Sequence, residues 1–202
     1  MNLDEMVKDL HPVRLAPSAI SASSIWWLAS IIFGLMIVSQ IHLRANLSEV
    51  ATQFSFLLST VLLLLAAAFA SYFVFRSGVP GRIYKRWEEM SIKFLIVLAA
   101  FPYFFSNAPS LDAEGYRCSL TVAFFALLPA VGFLYFLKNK YAVLQPRRTG
   151  YLLGLASGAL GAALIALHCP STESAHLLVW HFLPVLALAV IFSQVAIRVL
   201  KF

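Results

Sequence analysis

Along the chain, apolar runs free of charge alternate with short polar breaks. If Asp, Glu, Lys and Arg count as breaks, residues 15–43, 50–75, 94–111, 118–137, 149–172 and 174–197 contain none. The shortest run has 18 residues, close to the roughly 20 that a helix needs to cross about 30 Å of hydrocarbon. A Lys or Arg at mid-membrane costs about 2.5–3.5 kcal/mol, so charge-free runs of this length reflect lipid as the solvent. The pattern predicts six transmembrane helices over about 25–43, 51–75, 92–107, 119–137, 150–168 and 177–198.

Ahead of the first run, Leu3, Met6, Val7 and Leu10 follow the i, i+3, i+4, i+7 spacing of one helix face, with Asp4, Glu5, Lys8 and Asp9 elsewhere. Pro12 ends this pattern, and Pro17 with Ser18, Ser21, Ser23 and Ser24 reads as a linker. The chain therefore divides into a tail, 1–22, and a transmembrane domain, 23–202. The tail is acidic, and the run after it exceeds the roughly 7–15 residues of a cleaved leader's apolar core, so the first helix is expected to be retained.

Composition agrees with this reading. Hydrophobic residues make up 61% and charged residues 12%, with a mean hydropathy of +0.84, where soluble domains carry about 25% charged residues. The net charge of +6 matters through its placement. With the amino terminus in the cytoplasm, Arg76, Arg82, Lys85 and Arg86 fall inside, as do Lys138, Lys140, Arg147 and Arg148. Only Arg44 and Arg117 are left outside. The positive-inside rule then predicts an all-α bundle of six helices with both termini cytoplasmic. The basic charge is a topology signal, and no direct nucleic-acid contact is expected.

Several chemistries are disfavoured. None of the expected spans holds an Asp or Glu, the usual relay of a proton-coupled transporter. There is no CxxC for a thiol oxidoreductase. An intramembrane protease would need Ser157 and His181 within about 3 Å of each other, yet Ser157 lies about 16 Å deep and His181 about 7 Å at 1.5 Å per residue. An enzyme of that type, or a plain structural or transport subunit, is the alternative reading; no catalytic residue is expected.

Two cysteines remain, Cys118 at the outer start of the fourth helix and Cys169 at the outer end of the fifth. His168, His176 and His42 crowd the same face. A free cysteine also packs as a small hydrophobe. Thiolates with imidazoles can hold zinc or a softer metal, with His168 and His176 as the candidate partners, although the spacing is that of no zinc motif. No resident cofactor is otherwise expected. Gly150, Gly154 and Gly158 recur every four residues, a small-residue face that lets helices approach closely.

The stretch from Gly150 to Gly161, the run Leu167-His168-Cys169-Pro170, the later Trp180 and the tail element Leu10-His11-Pro12-Val13-Arg14 together resemble the NrsF family of bacterial membrane anti-sigma factors. His181 after Trp180 and the ending Leu200-Lys201-Phe202 depart from the family's pattern. The resemblance implies a non-catalytic protein that sequesters an extracytoplasmic-function sigma factor and releases it on an envelope stress, with Cys118 and Cys169 perceiving the signal. The tail would be the sigma-binding segment, with Leu3, Met6, Val7 and Leu10 as its apolar contacts. Its one Lys against three carboxylates suits a basic protein partner better than an anionic bilayer surface.

Overall fold

The computed structural model describes residues 17–79, 85–105, 115–141 and 143–200; Leu3, Met6, Val7 and Leu10 of the tail lie outside the described residues. Long helices dominate: α1 (Ala19–Ile41), α2 (Phe54–Ser77), α3 (Arg86–Phe104), α4 (Tyr116–Lys140), α5 (Pro146–Ile165) and α6 (Ser174–Val199). A one-turn helix, Leu47–Val50, follows α1, and α6 is interrupted by a π-helical turn, Leu178–Phe182. No strand occurs among the described residues. Every long helix except α3 is long and apolar enough to cross a membrane. The chain is a membrane protein.

α5 is the hub. Nearly all of its side chains from Thr149 to Ile165 are buried, Tyr151 excepted, because α2, α4 and α6 all pack on it. The glycine seam makes the closest of these contacts. A Cβ at Gly154 would stand 2.5 Å from both Ala189 Cα and Leu188 O of α6, and one at Gly158 would stand 3.0 Å from Val185 Cα. Gly161 turns toward α4, where a Cβ would lie 2.7 Å from Val122 O. The small-residue face expected from the sequence therefore sets the α5–α6 distance. By contrast α1 exposes much of its surface, including Ile25, Leu28, Ile32 and Met36, as a helix facing lipid should.

Two boundaries differ from the sequence reading. α1 begins at Ala19, so the serines read as a linker belong to its first turns. Ser18 is the N-cap and accepts a hydrogen bond from the Ser21 amide at 3.1 Å, one of the orphan amides that every helix start must satisfy. α3 begins at Arg86 and so takes in Glu88 and Glu89, which precede the span expected at 92–107. These charges sit in a helix because they are paired. Glu88, only 3% exposed, meets Arg76 of α2 at 2.9 Å, and Glu89 meets Lys93 at 2.6 Å.

The helices alternate in direction, and side chains tie the chain at both ends. Where α1 begins, the Tyr141 hydroxyl just past α4 donates to Pro17 O at 3.0 Å, and the Ser77 and Thr149 hydroxyls lie 3.0 Å apart. Where α1 ends, the Arg44 amide donates to Leu167 O at 3.0 Å, and Arg44 Nη2 donates to Pro170 O at 3.0 Å. This clamp fixes the segment that carries Cys169.

Candidate functional site: a thiol and imidazole cluster

The cluster is built by an irregularity in α6. Pro184 has no N–H, so the carbonyl four residues earlier, Trp180 O, loses its α-helical donor. Ser119 of α4 supplies the replacement, its hydroxyl donating to Trp180 O at 3.0 Å. The backbone here shifts to a π register, in which the Leu183 amide bonds Leu178 O five residues back. The shift brings two histidines together. Five residues along a regular α-helix turn the side chain by about 500°, leaving His176 and His181 some 140° apart on the helix surface. The wider π turn returns them to one side, with ring centroids 5.6 Å apart.

Both histidines are buried, and they meet the cysteines. Cys118 stands in the first turn of α4, half-buried, and Cys169 follows α5, buried. Their sulfurs lie 3.6 Å apart as free thiols. Cys169 Sγ is 3.4 Å from His176 Nε2. One donor atom each from Cys118, Cys169, His176 and His181 falls within 4.8 Å of all the others. His176 Nδ1 and His181 Nε2 are buried with no hydrogen-bond partner, an arrangement that costs free energy unless something else occupies those nitrogens. The neighbouring Cys118 thiol, and after it His181, hold the Cys169 thiol below its ordinary range, against the opposing effect of burial.

These distances have a chemical reading. Zn–S bonds near 2.3 Å and Zn–N bonds near 2.05 Å in a tetrahedron place two sulfurs about 3.8 Å apart and a sulfur and a nitrogen about 3.5 Å apart. The observed 3.6 Å and 3.4 Å are close to both edges. Two edges of a tetrahedral, sulfur-tolerant cation site are therefore near their bound lengths, and a donor pair at the 4.8 Å limit of the cluster would have to close by about 1 Å to complete it.

Of the residues singled out in the sequence, Cys118, Cys169 and His176 meet here. His168 does not join them: its Nδ1 hydrogen donates to His42 O at 2.7 Å. His42 adopts a left-handed backbone, φ 68°, which presents that carbonyl. His181, considered earlier only as a protease partner, belongs to the cluster. Ser157 instead donates to Leu153 O of its own helix, and the two are not brought together.

The match to known proteins covers nearly the whole chain: the NrsF family, described as negative regulator of sigma F, matches residues 6–202. The chain belongs to the NrsF family. It is thus a negative regulator of a sigma factor, in a family of regulators and not of enzymes. No curated protein and no solved structure matches it. The departures noted above, His181 and the carboxyl-terminal residues, do not prevent the match from reaching Phe202.

Proposed function

We propose that this NrsF-family chain is a non-catalytic anti-sigma factor of the bacterial inner membrane. It crosses six times with both ends in the cytoplasm and holds an extracytoplasmic-function sigma factor. Occupation of the cluster on the outer face makes it let go. The positive-inside bias supports the orientation. A crossing by α3 is supported by its ends: Glu88 pairs with Arg76 at the end of α2, whereas Tyr103, near its other end, engages Ser59 near the start of α2. The pairing of Glu88 and Glu89 with cations lowers the cost of carrying carboxylates at the helix start.

The observation that carries the sensing role is the convergence of Cys118, Cys169, His176 and His181, one donor atom from each within 4.8 Å of the others, with His181 Nε2 buried and unpartnered. Capture of a soft or borderline metal ion such as copper(I) or zinc would satisfy all four donors at once. A second reading rests on the 3.6 Å between the sulfurs. An oxidant that takes two electrons and two protons from the pair would join them as a disulfide.

On the cytoplasmic side, the tail with Leu3, Met6, Val7 and Leu10 supplies an amphipathic face for helix-in-groove binding.

The test is a sigma-dependent reporter in cells challenged with metals and with oxidants. Cys118→Ser with Cys169→Ser should abolish the response, and His176→Ala or His181→Ala should weaken the response to metals more than to oxidants. Met6→Asp with Leu10→Asp should give constitutive expression at unchanged membrane levels. A normal response in the double cysteine variant would end the sensing role, and full repression by the tail variant would move sigma binding to the inner loops.

A further inference from the structure

A cavity of about 50 Å³ with a mixed apolar and polar lining lies beside the cluster, at the end of the bundle where α1 finishes. About 10–15 Å³ suffices for one water, so the space takes a few waters or one small ion. Its wall is hydroxyl-rich, with Ser59, Thr60, Tyr103 and Ser171, and its floor reaches Cys169 and His181. His181 is 2% exposed, and its Nε2 has no partner. Within the cluster, Cys169 lines the cavity and Cys118 does not.

Arg44 decides what kind of species this space favours. Its residue is only 6% exposed. Its Nε donates to Asn46 Oδ1 at 2.8 Å and its Nη2 to Pro170 O at 3.0 Å, both neutral acceptors. Among the described residues no carboxylate pairs with it. Glu49, five residues after Arg44, and Glu173, three residues after Pro170, are exposed and do not line the cavity. A buried guanidinium without a counter-charge favours an anion beside it and disfavours a second cation.

We propose that this cavity is an anion-selective vestibule: small anionic species enter beside Arg44 and reach the Cys169 thiol, and hydrated cations are held back. The inference deepens the sensing role proposed above, because it specifies how a signal meets the thiols. A metal ion would arrive as a neutral or anionic complex, and a thiol-directed oxidant would gain access if it carried negative charge.

The test uses purified Cys118→Ser protein in nonionic detergent, which leaves Cys169 as the single thiol and exposes both faces. Its modification rate is measured with sulfonatoethyl and trimethylammonioethyl methanethiosulfonate, each divided by that reagent's rate with a free small thiol. In the reaction the Cys169 thiolate attacks the sulfenyl sulfur, a mixed disulfide forms and methanesulfinate leaves. The normalised ratio should favour the anionic reagent by about thirtyfold, because at about 4 Å in water the attraction of one reagent and the repulsion of the other each contribute roughly fivefold. Arg44→Gln should bring the ratio near one. Gln53→Glu, which sets an acid at the exposed cavity wall without touching the contacts of Arg44, should lower it independently should Arg44→Gln fail to fold. A ratio near one in the parent protein, one unmoved by Gln53→Glu, or a Cys169 thiol that neither reagent modifies, would overturn the vestibule. Neither result bears on sigma release, which the reporter reads separately.

Discussion

Replacing Gly154 by alanine tests whether the α5–α6 contact is as close as the glycine seam implies. The new Cβ would stand 2.5 Å from Ala189 Cα and 2.5 Å from Leu188 O, where carbon atoms ordinarily rest at about 3.5–4.0 Å. Both obstacles are backbone, so no side-chain rotation relieves them and the helices must part by about 1 Å. Overpacking of this kind costs about 1–3 kcal/mol. Gly132→Ala on α4 is the control, since nothing lies within 4 Å of its added Cβ. Alanine's helix-propensity advantage of about 1 kcal/mol is common to both variants and cancels between them. The difference therefore isolates the overpacking. At about 2 kcal/mol it corresponds to roughly 4–8 °C for a chain of this size. The assay is thermal unfolding in nonionic detergent, followed as the fraction of protein that stays monodisperse. Equal midpoints, or a higher midpoint for Gly154→Ala, would refute the close approach.

Two further substitutions address the site and its frame. Pro184→Ala restores an N–H that can bond Trp180 O, so the π turn should relax, His181 should leave the cluster, and metal affinity should fall at least about tenfold, as when a supporting group around a metal is lost; affinity and cobalt(II) absorption equal to wild type would show that the proline does not set the register. Glu88→Ala leaves Arg76 without its partner, and because Arg76 is about a quarter exposed the loss should be about 1–3 kcal/mol, below that of a fully buried pair; an unchanged melting midpoint would show that the pair contributes nothing.

Much of this architecture was legible because the bilayer imposes a coarse rule, and charge-free runs obey it. Six helices were expected from those runs, and each has a long helix in the structure. The start of α3 was not legible, since its first two turns hold Arg86, Glu88, Glu89 and Lys93, and only the partners Arg76 and Lys93 explain how the carboxylates are accommodated. The cysteines were legible from topology alone, one at the start of a helix and one at the end of the next. The histidines were harder. His168 adjoins Cys169 in sequence, but its ring is engaged by the His42 carbonyl. His181 sits five residues from His176, a spacing that a regular helix sends to a different face. The one local signal was Pro184, placed where its missing N–H would release Trp180 O. Recognising the π turn from it also required knowing that Ser119 stood opposite to take that carbonyl.

The two ends of α4 carry a mechanical consequence. Cys118 lies in its first turn, and Tyr141, the residue immediately after its last turn, holds Pro17 through its hydroxyl. Twenty-five residues at 1.5 Å each make a rod of about 37 Å between them. The far end of that rod grips the chain next to the amino-terminal segment. A displacement of its sulfur end would reach the root of the tail only by moving past Gly161 of α5, which packs on Val122, and through whatever bend Pro129 introduces.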